Sequence, residues 1–553
     1  MPTDSCSRSF LRSPRFGCFL LFALAFAVRA VGLGFGLPDA LARPDEEAIV
    51  GNALVLENRP DWNPQSFSYP SLMVYAAYGA FKVMHALMRF AGDTSATTLN
   101  ALFRENPACF HWAVRLLSLF CGALTPVVVA ATARRLFGLK TAVSAGLLLA
   151  LSYLHVRDSH FGVTDVPFVF LVCLSFHQLA KLYLGGSFKH LVFAAIFAGL
   201  AIGTKYTGAW LCWPFAVALG RSALRRPPEQ RARALVAGGL TAAGVTLLVF
   251  FLSTPYFFLD FERAWPHFRW EMMLVQAEPP IVPGINGYID HFRTSLWYGL
   301  GWPVLLIAIA SGVAMAVRRS GKGLLLWSLP ALFYLYVGHS NRIFIRYMDL
   351  VLPFLAIAAG WGVRSAVLRL RRRRRPPASP TPRFLPVAVT LLCLIPSIDR
   401  IVRFDRQMTK TDTRLELRQW LVSHVPENEP ILWSGGWSAM PYMIHHVPVR
   451  TLHATEKLRE RFLDEPTYLY RYRWIVLVEW PRAYYLEGKN VRERAYLAQF
   501  MAGRYRLVHA IDADKADLPA EWFSALDHFY MSFPRPGIIE RPGPGFRIYQ
   551  RID

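Results

Sequence analysis

The chain has 553 residues, with 61 Lys and Arg against 38 Asp and Glu, so it carries a formal charge of +23. It is 54% hydrophobic and only 18% charged, more apolar and less charged than soluble domains at roughly 45–50% and about 25%. The basic residues lie between long apolar runs instead of alternating with polar ones along a face, which excludes a soluble nucleic-acid-binding protein.

The apolar runs begin near the N-terminus, where residues 16–36 follow Arg8, Arg12 and Arg15. No convincing signal-peptidase site follows, so this run is expected to stay as a first membrane helix. Further runs at 107–133, 141–156, 166–183, 190–204, 207–220, 234–254, 296–317, 323–338, 350–368 and 384–402 bring the expected number of transmembrane helices to about eleven. Residues 71–90 are apolar but carry Lys82, His85 and Arg89. Read as an interfacial amphipathic helix, this segment lets every later loop obey the positive-inside rule. The N-terminus and the loops then assigned to the cytoplasm hold 24 basic residues against two acidic ones, Asp4 and Glu229. The remaining charge is nearly balanced. The Arg371–Arg375 run reads as a cytoplasmic stop-transfer loop near anionic lipid.

The expected membrane domain is 1–402, with a first extracytoplasmic loop at 37–106. Beyond it, continuous apolar runs give way to amphipathic and alternating patterns. A helix is expected over 412–425, with strands at 430–433, 474–478, 505–510 and 546–552. Residues 403–553 thus read as a small extracytoplasmic α/β domain. All seven cysteines lie outside it and show no metal-type spacing.

The chemistry-bearing residues gather on the outward side. Arg43-Pro44-Asp45-Glu46-Glu47 follows the first span. Carboxylates there suit a general base, although Pro44 followed by three acids is also ordinary helix-start chemistry. Arg157-Asp158-Ser159-His160 to Thr164-Asp165 forms a dense polar turn between two spans, with Thr164 or Asp165 an alternative N-cap for the next helix. Lys205 ends one short span, and Arg342, Arg346 and Tyr347 enter another. Ionisable groups at membrane depth are functional candidates, and these cations suit a lipid phosphate; snorkelling, or pairing of the arginines with Asp349, is the plainer reading. The aromatics Trp265, Phe268 and Trp270 fit an interfacial belt or a sugar platform. Trp433, Trp437, Tyr442, His445 and His446 in the soluble part fit domain packing.

Taken in order, Arg43-Pro44-Asp45-Glu46, Phe67-Ser68-Tyr69-Pro70, Arg157 to Pro167, Gly199 to Lys205 and Arg346-Tyr347 to Pro353 resemble the C-type membrane glycosyltransferases of the family 39, protein-O-mannosyltransferase-like group. The resemblance implies a polytopic, mostly α-helical fold and inverting transfer of a sugar from a polyprenyl-phosphate donor. The acceptor would be a lipid, glycan or protein outside the inner membrane. It assigns Asp45 as catalytic base, Glu46 as its neighbour and Asp165 as the second acidic position. Lys205 and Arg346, with Arg342, Tyr347, Arg157 and His160, are then the substrate-binding candidates. The donor is a substrate, and no cofactor follows from the resemblance. Asp45, Glu46 and Asp165 could meet around a divalent cation, but no spacing indicates one. A transporter or lipid flippase, with its intramembrane charges lining a path, is the alternative.

The orientation is directly measurable. A cysteine introduced at position 450 should react with an impermeant maleimide on intact cells; labelling only after permeabilisation would reverse the assignment.

Overall fold

The computed structural model describes residues 14–38, 43–275, 286–340, 343–373, 384–433, 449–451, 472–479, 501–513, 533–534, 536–537 and 540–552. Two compact units divide the chain. Met1–Ala30, Ile49–Leu102 and Phe110–Ile401 form one; Val31–Ala48, Phe103–Cys109 and Val402–Asp553 form the other.

The first unit is a helical membrane body. Its main helices are α1 (Pro14–Ala30), α2 (Pro44–Val55), α3 (Leu72–Ala91), α4 (Pro107–Phe137), α5 (Leu139–Ala150), α6 (Tyr153–Asp158), α7 (Asp165–Tyr183), α8 (Lys189–Thr204), α9 (Cys212–Ala223), α10 (Pro228–Ser253), α11 (Phe261–Val275), α12 (Trp302–Val317), α13 (Pro330–Gly338), α14 (Leu352–Arg373) and α15 (Leu385–Met408), of which α2, α4 and α15 are shared between the units. Among the described residues, five helical segments are long and apolar enough to cross a membrane: Pro107–Phe137, Asp165–Tyr183, Pro228–Ser253, Gly287–Val317 and Leu385–His424. α5 and α8 are shorter apolar helices.

Several expected spans are broken where the sequence inserts a breaker or a polar bond. The run at 323–338 stops at Ser328–Leu329, and α13 restarts on Pro330. The run at 207–220 opens as a 3₁₀ turn over Tyr206–Leu211 before α9. The run at 141–156 ends at Ala150, where Ser152 donates to the Gly299 carbonyl and the Tyr153 amide donates to Ser397 Oγ.

Small residues let the helices close on one another, as they do where lipid supplies no hydrophobic drive. A Cβ at Gly199 of α8 would lie 2.6 Å from the Thr246 carbonyl of α10, and one at Gly360 of α14 would lie 2.9 Å from the Ala145 amide of α5.

α3 buries Met73, Val74, Ala77, Phe81 and His85, a stripe at three- and four-residue spacing, while Val83, Leu87 and Phe90 are exposed. Its Lys82 pairs with Glu57 at 3.1 Å. The same carboxylate accepts from the amides of Leu99 (2.8 Å) and Asn100 (2.9 Å), opening the helix Leu99–Glu105. One acid thus anchors two elements of the first loop.

In the second unit, α16 (Thr413–His424) packs on a five-stranded sheet of order β2-β1-β3-β5-β4. The strands are β1 (Ile431–Trp433), β2 (Val449–Thr451), β3 (Trp474–Glu479), β4 (Tyr505–Ile511) and β5 (Gly545–Arg551). β1 is parallel to both β2 and β3, and β5 is antiparallel between β3 and β4. The strand period of two sorts the side chains. Ile431, Trp433, Trp474, Val476, Val478, Phe546 and Ile548 join Leu417 and Leu421 of α16 in one core, while Leu432, Ile475 and Tyr505 face the other way with Tyr472 and Met501. Four of these strands were expected from alternation. The three-residue β2 is too short to show a period.

Candidate active site

A polar cluster of the membrane unit forms where three elements meet. α7 begins at Asp165, and Thr164 occupies its N-cap without a side-chain capping bond. Asp165 is buried and accepts a 2.6 Å bond from Lys205 Nζ. Lys205 is the C-cap of α8, held extended at φ −152° between the end of that helix and the following 3₁₀ turn. This break turns its side chain out of the helix periodicity and onto Asp165. From a third direction comes the 3₁₀ turn Ile345–Leu350, whose buried Arg346 brings Nε to 3.9 Å from the other Asp165 oxygen. Arg346 therefore faces Asp165 and not Asp349, the partner offered by its plainer reading.

Tyr347 completes the arrangement, with Lys205 Nζ 5.4 Å from its ring centre. Asp165, Lys205, Arg346, Tyr347 and Asp349 line one small cavity of about 20 Å³, room for little more than a water molecule. An anion seated between Lys205 and Arg346 would have to loosen their hold on Asp165.

Asp349 was foreseen only as a counter-ion. It is buried, and neither of its carboxyl oxygens has a hydrogen-bond partner among the described residues. Burial raises its carboxyl well above the ordinary range, the nearby charges of Asp158 and Asp165 raise it further, and Arg157 opposes them.

Arg157 and His160 are placed differently from the cavity residues. Arg157 is buried and donates to Asp158 Oδ1 at 2.9 Å. His160 is fully buried, with Nδ1 2.9 Å from the Val156 carbonyl one turn earlier. Neither lines the cavity. Beneath them lies a network the sequence reading did not foresee. Arg29, fully buried at the end of α1, bonds to the Ala25 and Ala150 carbonyls, to Ser159 Oγ and to His155 Nδ1, at 2.9–3.1 Å. The signal available for it was an arginine inside an otherwise apolar run, which demands internal partners. Arg342 lies outside the described residues, as do Trp437, Tyr442, His445 and His446.

Of the loop aromatics, Phe268 meets Tyr206 edge-on at 4.9 Å and Trp265 stacks on Phe261 at 5.6 Å, while Trp270 points outward. Trp433 is a fully buried core residue of the soluble domain.

Asp45 and Glu46 belong to the other compact unit. They occupy the first turn of α2, where the Glu46 and Glu47 amides bond to the Arg43 carbonyl. Asp45 is half-buried, whereas Arg43 and Glu46 are fully buried. Burial pushes the Glu47 carboxyl up to about 8, Glu46 adds to the rise, and Arg414 opposes it. Among the described residues, no three His, Cys, Asp or Glu side chains gather as a metal site.

The family model described as dolichyl-phosphate-mannose-protein mannosyltransferase matches residues 100–256. This stretch carries Arg157, Asp165 and Lys205. No curated protein sequence matches the chain. Among solved structures, an oligosaccharyltransferase from Archaeoglobus fulgidus, in complex with zinc and sulfate, superposes with a TM-score of 0.52 at 11% identity, covering 97% of this chain and 88% of that one. ArnT from Cupriavidus metallidurans in the apo state also gives 0.52, at 15% identity, covering 90% and 97%.

The buried Glu47 generates a pH prediction. Its carboxyl holds a proton in the folded protein up to about pH 8 and in the unfolded chain only up to about 4.5, so the folded state binds more protons across that window. Stability is full below the lower value and falls as pH rises toward the upper one, by at most about 1.4 kcal/mol per pH unit. Thermal unfolding of the full-length protein between pH 5 and 8 should show this decline, and Glu47→Gln should flatten it.

The chain is a multi-pass membrane protein whose helical fold is similar to those of the oligosaccharyltransferase and ArnT.

Proposed function

We propose that this protein moves a sugar from a polyprenyl-phosphate donor to a hydroxyl of an acceptor on the extracytoplasmic side of the membrane, with inversion at the anomeric carbon. The observation that carries this reading is the buried Asp165–Lys205–Arg346 cluster: two fixed cations and a carboxylate at the mouths of membrane helices. A glycosyl transition state develops positive charge on the sugar and negative charge on the departing phosphate oxygen. Lys205 and Arg346 are the cations suited to that phosphate. Asp165 holds both in place before the donor arrives and afterwards lies near the electron-poor sugar.

Asp45 is the proposed base. It takes the proton of the acceptor hydroxyl while that oxygen bonds to the anomeric carbon, and the bond from that carbon to the phosphate oxygen breaks, releasing polyprenyl phosphate. Its half-exposed position in the first turn of α2 supports the role, since a base must be reached by the acceptor. Fully buried Glu46 is better suited to shaping the turn. The donor's phosphate ester supplies the driving force, so this chemistry calls for neither a nucleotide nor a redox cofactor. The N-terminus is assigned to the cytoplasm and the soluble domain to the outside, a reading supported by the excess of basic residues in the alternate loops.

Asp45→Asn should lower sugar transfer in membranes by at least about 100-fold, the usual scale of a lost general base, with expression and thermal stability retained. Transfer at the parental rate would refute the assignment. Lys205→Ala should raise the donor concentration for half-saturation by about tenfold or more, the effect of losing a hydrogen bond to a charged group. Unchanged donor saturation would remove Lys205 from the phosphate site.

A further inference from the structure

The Phe67-Ser68-Tyr69-Pro70 motif of the first loop has no part in the reaction as proposed, yet the backbone leading into it is fixed by side chains from elsewhere in the membrane unit. Phe67 is fully buried. Its amide donates to His267 Nδ1 of α11 at 3.1 Å, and its carbonyl accepts from the Tyr206 hydroxyl at 2.9 Å. Upstream, Asn63 Nδ2 donates to an Asp260 oxygen at 2.7 Å, and the Tyr256 hydroxyl donates to the Asp61 carbonyl. Between these bonds, Trp62 and Gln65 each sit at φ +56°. A residue other than glycine keeps that left-handed conformation only where its surroundings over-determine it.

Tyr206 follows Lys205 directly and opens the 3₁₀ turn Tyr206–Leu211. Because Lys205 lies just past the end of α8, the direction of its side chain is set by that turn as much as by the helix. The turn folds tightly back: the Gly208 amide donates to the Lys205 carbonyl at 2.9 Å, and a Cβ at Gly208 would come within 2.7 Å of the Ile202 amide nitrogen. Its far end is held by Trp210, edge-on to Phe333 at 6.2 Å. Its near end is held by Tyr206, whose ring meets Phe268 at 4.9 Å and Phe257 at 5.6 Å and whose hydroxyl reaches Phe67. An unbroken series of contacts thus runs from His267 through Phe67 and Tyr206 to the lysine that bonds Asp165.

We infer that Tyr206 and His267 are positioning residues: they latch the first loop at Phe67 and so hold the turn that aims Lys205 at Asp165. The inference rests on the proposed role of Lys205 as a cation for the donor phosphate. Neither residue lines the cavity that holds Lys205, Arg346 and Asp165, so any effect they have on the donor passes through Lys205. Packing alone would be served by a phenylalanine at 206. The hydroxyl adds a directed bond to a buried carbonyl, and His267 satisfies the amide of the same residue. Buried backbone groups left without such partners would draw the loop toward water and release the turn with it.

The test uses the full-length protein in lipid nanodiscs, with undecaprenyl phosphate as the probe. Tyr206→Phe keeps the ring and removes the bond. Its affinity for undecaprenyl phosphate, and the donor concentration that half-saturates transfer in membranes, should weaken by about fivefold or more, the scale of one net hydrogen bond, with turnover preserved. His267→Leu should do the same, whereas His267→Asn, which can return an acceptor oxygen to the place of Nδ1, should restore the parental affinity. In both weakened variants hydrogen exchange should quicken at amides 67, 205 and 208 while α7 keeps its protection. A purely structural role would lower the yield of folded protein and leave the affinity of the folded fraction at the parental value. That result in Tyr206→Phe, or in His267→Leu should the first variant not fold, would overturn the inference, as would a loss confined to turnover. Lys205→Ala separates the two readings. If donor saturation is unchanged there, Lys205 is not at the phosphate, and the latch is judged by exchange alone: quickened exchange at 205 and 208 in Tyr206→Phe supports it, and parental exchange refutes it.

Discussion

A charge taken out of water is stable only beside its opposite, and both units of this protein are organised around that rule. In the membrane body, Asp165 is buried with Lys205 and Arg346 directed at it from two other elements. In the soluble unit, Asp412 and Arg414 form a buried fork at the start of α16. Isolated, any of these groups would cost several kcal/mol in a low-dielectric interior. Paired, each becomes a fixed point around which neighbouring backbone is arranged.

The same constraint accounts for the irregular backbone at the cluster. A continuous helix would point residue 205 along the regular periodicity of α8, and a 3₁₀ turn over Ile345–Leu350 would have no purpose within a straight span. Irregular backbone at these helix ends is tolerable because it turns toward polar partners within the protein. It brings two cations and a carboxylate into one place. Gathering these acids raises the affinity of Asp349 for a proton, through its burial and through the charges of Asp158 and Asp165.

Much of the fold was legible because its signals are local. Apolar runs and the distribution of Arg and Lys mark a multi-pass membrane protein, and period-two alternation marks β1, β3, β4 and β5. The cations at 205 and 346 stood out as charges beside apolar spans. What escaped was set by non-local contact. Thr164 and Asp165 read equally well as caps or as a site, and only the approach of Lys205, 40 residues away, separates the two. Arg346 read as a cation for a lipid phosphate with nearby Asp349 as the alternative partner, because sequence proximity is visible and the spatial proximity of Asp165 is not. Arg29 offered a signal, a charge within an apolar span, but not the identity of His155, Ser159 or Ala150 as its partners.

By itself the sequence determined the class of protein, its apolar architecture, the change of character near residue 402 and the set of charges worth examining, since each depends on composition or short-range period. Only the tertiary structure decided which of those charges meet, that Asp349 faces an acid and not Arg346, and that the Asp45 segment belongs to the unit formed by the C-terminal domain. Those outcomes depend on chain closure across tens to hundreds of residues. Burial then forces each charge to find its partner wherever the fold has brought one, and no local pattern records where that is.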